Sequence, residues 1–307
     1  MKKTLLFAIL FSVSLVINAQ STKEVIAHLN NVKQINDEFA TLWMEQGASI
    51  SISNMSVNTF QQIITANQGT IEKLNSVEQV YWDEGLLDYI LESHRTVQQI
   101  IATDKKIILA YLEKTHFIDE DLLSASLFLM KLNEKIISVN EKIAVIEKFL
   151  AAKYNFTLQN IDFNKKANLL IKKGHFFNQL TIILLNTKVE VTKFLRKSTN
   201  ETYASALNNV LDGQAKIDNI LLVEGGTSIK ENMMKYHNHF YDFLKKYGSD
   251  CISFYSTDLD KLDKTSKEAV ERYNKLVVKR NEASDFYNQA VPIAEKHNIL
   301  GQEFIQH

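Results

Sequence analysis

Glutamate and histidine are the residues whose spacing comes nearest to a metal site in this sequence. Glu113 and His116 form one Glu-x-x-His pair, a motif that di-iron carboxylate bundles use twice, together with two further glutamates. One pair does not supply that ligand set, so we expect no di-iron centre. Glu24 and His28 lie one helical turn apart and could share a metal ion, although a solvated pair on a helix surface is the commoner arrangement.

His237 and His239 could chelate one metal ion only in an extended strand. Residues two apart on a helix point about 200° apart, and the surrounding pattern is helical. A haem held by one histidine and one methionine is a further alternative, although methionine in a helical bundle is more often a core filler. The methionines available for it are Met44, Met55, Met130, Met233 and Met234.

Motifs of the common enzyme classes are missing from the sequence. It contains neither a His-Glu-x-x-His zinc motif nor a Gly-x-Ser-x-Gly nucleophile elbow. We therefore predict no catalytic, cofactor-binding or metal-ligating residue, no cofactor and no enzymatic activity.

Aromatic residues are concentrated between Tyr236 and Tyr255. Four of them are spaced by 4, 3 and 4 positions, which is typical of one buried helix face: Tyr236, Phe240, Phe243 and Tyr247. Other aromatic residues fall off this face or lie near the ends of predicted helices. Because exposed aromatic side chains often anchor interfaces, we predict a partner or ligand surface that includes Tyr241, Phe254, Tyr255, Trp43 and Trp82.

Long helices must position these side chains. Pro292 is the only proline and glycine occurs nine times, so helix-breaking residues are rare. Apolar residues alternate three and four positions apart from Leu122 to Leu150, which predicts a coiled-coil or bundle seam. Capping boxes are predicted at Ser21, Ser198, Ser228 and Thr265. The seven other predicted helices have apolar faces at 25–42, 58–80, 86–114, 170–195, 203–217, 233–247 and 270–287.

The predicted fold class is all-α, with long antiparallel helices. A connector at 154–162 separates four predicted helices from four more, and a turn-rich connection is predicted at 47–56. This arrangement favours two tandem four-helix bundles, an N-terminal one over 20–153 and a C-terminal one over 163–307. One elongated helical bundle, or two halves that share a long helix, are the alternatives.

The amino terminus has the order of a secretory signal peptide over residues 1–19. Lys2 and Lys3 precede the apolar run Thr4–Ile17, and cleavage is predicted after Ala19. The run is shorter than the roughly 20 apolar residues that a membrane span needs. Gln20, not a cysteine, follows the predicted cleavage site. We therefore predict an exported protein, periplasmic or secreted, without a lipid anchor or a membrane span in the mature chain.

Composition argues against two further classes of partner. The 35 basic side chains fall to 33 in the mature chain, against 36 acidic ones. Nucleic-acid binding usually needs a basic surface, and anionic membranes attract basic segments, so neither is expected.

Cys251 is the single cysteine, which excludes an internal disulfide. It is expected either as a small buried residue or as an exposed thiol that pairs between chains.

In these features the chain resembles uncharacterised exported all-helical bacterial surface proteins. The resemblance implies an exported all-α protein of unknown activity, and it assigns no functional residue. We expect a partner-binding or scaffolding role at the cell envelope, with an envelope protein or a second copy of the chain as partner. The alternative is a periplasmic bundle that binds a small ligand or a metal, with His94 or His175 among the ligands.

Overall fold

Helices form every regular element in the described part of the chain. The computed structural model describes residues 22–45, 55–114, 118–158, 161–257 and 265–306. Within these ranges the predicted all-α fold is confirmed, and no helix there is both long and apolar enough to cross a bilayer. The helices are α1 (Thr22–Glu45), α2 (Val57–Asn75), α3 (Leu86–Leu112), α4 (Asp119–Tyr154), α5 (Ile161–Arg196), α6 (Asn200–Asn219), α7 (Thr227–Ser256), α8 (Lys267–Asn288) and α9 (Val291–Gln306).

The heptad pattern of the sequence is the buried face of α4. The residues of this heptad pattern from Ala125 to Leu150 are buried, and Leu122 is partly buried near the helix start. The first turn carries Asp119, Glu120 and Asp121, and negative charge is favourable at this positive end of the helix dipole. The predicted packing seam is therefore confirmed. Because it is buried within a single chain, it is not open for pairing with a second copy.

The start of α6 lies one residue later than its predicted capping box. The N-cap is Thr199, whose hydroxyl accepts from the backbone N–H of Thr202, while the Thr202 hydroxyl accepts from the N–H of Thr199. The predicted cap, Ser198, donates instead to the carbonyl of Phe194 near the end of α5. Either of two adjacent hydroxyl residues can cap a helix. Here the hydroxyl of Ser198 is bonded to α5, so Thr199 is the cap of α6.

Two other predicted caps are also wrong. Ser228 lies inside α7, which follows Gly226 without a side-chain cap. At α8 the hydroxyl of Ser266 accepts from the backbone N–H of Ala269, so the cap lies one residue after Thr265. The box predicted at Ser21 lies outside the described residues.

The connection between α2 and α3 is longer than predicted. α2 ends at Asn75 rather than near residue 80, and Ser76 donates its hydroxyl to the carbonyl of Lys73 at this end. Asp83 then caps α3, because its carboxylate accepts from the N–H groups of Gly85 and Leu87 at 2.9 and 3.2 Å. The connection predicted at 47–56 lies outside the described residues except for its last two, which are not helical.

The last predicted helix is followed by a further one. α8 ends at Asn288, and α9 begins at Val291 after a two-residue turn. Pro292 lies in the first turn of α9, where its missing N–H breaks no helical hydrogen bond.

The helices group into two compact units, and α3, α4 and α5 each contribute a segment of several residues to both. The described residues of the first unit fall within Met1–Gln46, Asn58–Thr103 and Lys135–Asn168. Those of the second fall within Gly47–Val57, Asp104–Glu134 and Leu169–His307. The predicted domains at 20–153 and 163–307 differ from these units, because residues 104–114 and 118–134 pack with the second one. α4 has 36 residues, about 54 Å, whereas α2 has 19, about 28 Å, so a helix of the length of α2 can cover only part of α4.

Each unit has its own apolar core. In the first, the core includes Val32 of α1, Leu74 of α2, Ile90 of α3 and Ile143 of α4. In the second, α5 to α9 surround an aromatic core that contains the predicted stripe Tyr236, Phe240, Phe243 and Tyr247. The prediction that this stripe is a buried helix face is confirmed.

Candidate functional site

Two of the five aromatic residues predicted at a partner surface are buried, so this part of the prediction is wrong. Trp43 is 1% exposed, four residues after Phe39 on the inner face of α1. Trp82 is 7% exposed, and its ring lies 5.1 Å from the ring of His28 and 6.4 Å from that of Tyr154. Their position near helix ends did not bring them to the surface, because both rings belong to the inside of the first unit.

The other three aromatic residues lie on α7 but do not form one continuous surface. Tyr241 is half-buried, and the ammonium of Lys245 lies 5.5 Å from its ring. Phe254 is half-buried and stacks on Tyr273 of α8, at 6.0 Å between ring centroids. Tyr255 is 38% exposed, and its hydroxyl donates to the carbonyl of Leu195 at 2.8 Å.

A groove of about 440 Å³ opens beside Tyr255 on the second unit. We call it the arginine groove. It lies between the ends of α5, α7 and α8, and its lining consists of Thr192, Leu195, Arg196, Tyr255, Arg280, Ser284, Tyr287 and Asn288.

Positive charge dominates the arginine groove. Arg196 and Arg280 line it together, and none of the described residues that line it is an aspartate or glutamate. Among the described residues, neither guanidinium forms an ion pair with a carboxylate. Arg280 instead donates from Nη1 to the hydroxyl of Ser284 at 2.9 Å, one turn further along α8. This bond orients one guanidinium without neutralising its charge.

The hydroxyl groups of the groove keep hydrogens that are available for donation. Thr192 and Tyr287 share one hydrogen bond of 2.7 Å, which uses one of their two hydroxyl hydrogens and leaves the other. Ser284 accepts from Arg280 and so still has its own O–H to donate. The wall therefore offers two guanidinium groups and two O–H donors, a combination that suits an acceptor-rich, negatively charged group.

Sequence reasoning identified Tyr255 but missed both arginines. Arg196 and Arg280 are 84 positions apart and come together only because α5 and α8 pack in the same unit. One signal was present: the chain has four arginines among its 35 basic side chains, so each stands out in a lysine-rich sequence.

His94, one of the two histidines considered as ligands, lies between two asparagine side chains inside the first unit. Its Nδ1 and Nε2 lie 2.8 and 3.3 Å from the side-chain oxygens of Asn67 and Asn36, and Asn67 also donates to the His94 carbonyl. Burial lowers the pKa of His94 to about 4. Neither ring nitrogen is open to a metal ion, so the arrangement is that of a hydrogen-bonded core histidine.

His175, the other candidate, is half-buried in the second unit. Burial lowers its pKa, and the charge of Glu134 opposes this shift. In the described part of the chain, no three or more histidine, cysteine, aspartate or glutamate residues are grouped so that they could hold a metal ion. His116, of the single Glu-x-x-His pair, lies outside the described residues.

The remaining histidine pairs also point to packing. Nε2 of His28 lies 3.2 Å from the carboxylate of Asp83. His237 donates from Nδ1 to the carbonyl of Met233, and its Nε2 lies 2.9 Å from the hydroxyl oxygen of Thr187. His239 faces α8 and stacks on Phe286 at 4.5 Å. The expected divergence of His237 and His239 on a helix is confirmed.

Cys251 is fully buried in the core of the second unit. Burial raises the pKa of its thiol to about 11, against the smaller opposing effect of Arg280. Of the two alternatives, the small buried residue is confirmed, since a buried neutral thiol neither attacks a substrate nor pairs with another chain.

The chain matched no protein-family model, no curated protein and no solved structure.

Proposed function

We propose that this chain is an exported, non-enzymatic helical protein that binds a partner at the cell envelope through the end of α7 around Tyr255. The observation that carries the proposal is that Tyr255 is exposed and at the same time held by its hydrogen bond to the carbonyl of Leu195. The resemblance to exported bacterial surface proteins agrees with this role and stays a prediction.

A restrained tyrosine suits a contact surface for two physical reasons. Tyrosine is enriched among the residues that dominate binding energy, since its ring supplies contact area and its hydroxyl supplies polarity. A side chain that is already ordered also loses less conformational entropy on binding. The stacking of Phe254 on Tyr273 further orders this end of α7 against α8.

An envelope protein is the partner that we favour over a second copy of the chain. Self-association through the heptad seam would need an exposed seam, and its residues are buried in the core of one chain. The alternative function, binding of a small ligand, is supported by a separate observation, the charge of the arginine groove.

The proposal can be tested by photo-crosslinking in the host. Tyr255 is replaced by p-benzoyl-phenylalanine, and the matched control carries the same replacement at Tyr81, which is 81% exposed in the first unit. We expect a discrete crosslinked product from position 255 and none from position 81 after irradiation of intact cells. Absence of a product at position 255, or the same products at both positions, would contradict the proposal.

A further inference from the structure

We propose that the arginine groove is a binding site for a small oxyanion with two negative charges, such as inorganic phosphate or a dicarboxylate. This inference goes beyond partner binding, because such a ligand can occupy the groove whether or not a macromolecule contacts Tyr255.

The charge of the lining is the first argument. A guanidinium stays protonated at any physiological pH, and its planar N–H groups match the oxygens of a carboxylate or phosphate. Arg196 and Arg280 bring two such charges to one groove, and no carboxylate among the described lining residues balances them. A dianion neutralises both charges, whereas a monoanion leaves one.

The hydrogen-bond donors of the lining are the second argument. Oxyanions accept hydrogen bonds and donate few, so a site for them needs a surplus of donors. The groove has this surplus, because Ser284 and the Thr192–Tyr287 pair keep free hydroxyl hydrogens beside the guanidinium groups. The Tyr255 hydroxyl donates to Leu195 and so only frames the entrance.

The size of the groove favours a small ligand. A volume of about 440 Å³ lies in the range of roughly 300–1,000 Å³ that is typical of small-molecule pockets. Its lining residues all belong to the second unit, so the site does not depend on the arrangement of the two units.

Isothermal titration of the mature full chain at low ionic strength tests the inference. Sodium phosphate and succinate are the dianionic probes, and acetate is the monoanionic comparison. The variants are Arg196→Gln and Arg280→Gln. Arg272→Gln is the matched control, since Arg272 is exposed on α8 and does not line the groove. Circular dichroism melting of each variant checks that it folds.

We expect at least one dianion to bind at least tenfold more tightly than acetate. Each groove variant should weaken that binding by roughly tenfold, the usual effect of losing one hydrogen bond to a charged group, while Arg272→Gln should leave it unchanged. Preference for phosphate over succinate, or the reverse, identifies the source of the oxyanion.

Two results would overturn the inference. One is the absence of binding by either dianion at millimolar concentration. The other is binding that Arg272→Gln weakens as much as the groove variants, which would indicate nonspecific attraction to positive charge. Either outcome leaves the crosslinking result at Tyr255 untouched, so failure of the oxyanion site and failure of the partner face are distinguishable.

Discussion

Three histidines are buried deeply enough to stay neutral in the folded protein. Burial lowers the pKa of His94 and His237 to about 4 and that of His297 to about 3. His297 stacks on Phe177 at 4.7 Å and contacts the hydroxyl of Thr181 at 3.0 Å. Such groups stabilise the fold only while they are unprotonated, so they link stability to pH.

We predict that stability falls as the pH drops from about 6.5 towards 4. In this window the unfolded chain, with histidine pKa values near 6.5, binds protons that the folded chain excludes, so the free energy of unfolding decreases. Each histidine with a pKa near 4 contributes a loss of about 3 kcal/mol by pH 4. Urea unfolding at pH 7.5, 6.0 and 5.0 measures the effect.

The His237→Gln variant is the control for this prediction. Glutamine does not titrate, so the variant should be less stable at pH 7.5 but should lose less stability on acidification than the natural chain. An unfolding free energy that is equal at pH 7.5 and pH 5.0 would show that the histidines are not buried in their neutral form.

The residues of the candidate site were only partly predictable. Tyr255 was identifiable because it departs from the buried 4, 3, 4 stripe of α7, a local property of the sequence. Arg196 and Arg280 were not, because a single sequence contains no information on which ends of α5 and α8 meet. The prediction that Trp43 and Trp82 lie at a surface was wrong, because closeness to a helix end does not determine whether a side chain faces the core.

At the scale of elements, α6 and α7 approach closely because each has a glycine where a ring of the other packs. A Cβ at Gly213 of α6 would lie 2.5 Å from Nε2 of His237 on α7. A Cβ at Gly248 of α7 would collide with the ring of Tyr203 on α6. Interior glycine weakens a helix by about 1 kcal/mol relative to alanine, and here that weakness allows the helices to pack.

We predict opposite effects for two glycine-to-alanine substitutions. Gly213→Ala should destabilise the protein by about 1–3 kcal/mol, because the new methyl group overpacks against His237 and Ile183. Gly69→Ala is the matched control: it is also inside a helix, α2, and its Cβ would have no neighbour within 4 Å. It should be neutral or stabilising by up to about 1 kcal/mol. Urea unfolding of both variants measures the difference, and stabilisation by Gly213→Ala would contradict the packing argument.

The sequence predicted helix faces better than helix ends. The α4 seam was correct along its whole length, because a sustained periodicity is averaged over many residues. The caps failed at Ser198, Ser228 and Thr265, because each depends on one hydrogen bond that a neighbouring hydroxyl or glycine can replace. The two glycines of α6 and α7 had no local signal that distinguished packing from helix breaking.

At the scale of the whole molecule, the division into units runs through the middle of helices. The first part of α4 contributes Leu122 and Leu123 to the periphery of the second core, and its later part contributes Ile143 and Ile146 to the first core. The sequence favoured a boundary at 154–162 because a helix end is visible in the sequence. A change of packing partners within a continuous helix leaves no comparable mark.

This division predicts that the two parts of α4 respond to different core mutations. Phe240→Ala removes a ring buried in the second core and should destabilise that unit by about 3–5 kcal/mol. Ile90→Ala should destabilise the first core by about 2–5 kcal/mol. Hydrogen exchange measured by mass spectrometry should then show faster exchange in residues 119–134 with Phe240→Ala, and in residues 139–154 with Ile90→Ala.

The two substitutions together distinguish the predicted division of the chain, with a boundary after residue 153, from the division into units that runs through α4. If α4 belonged entirely to an N-terminal domain of residues 20–153, Phe240→Ala would leave exchange in all of α4 unchanged, and Ile90→Ala would accelerate it along the whole helix. If α4 joins both units, each mutation accelerates its own part, and residues near 134 and 135 mark the change. Because opening of one unit breaks helical hydrogen bonds only where its core has melted, the position of this change locates the boundary directly.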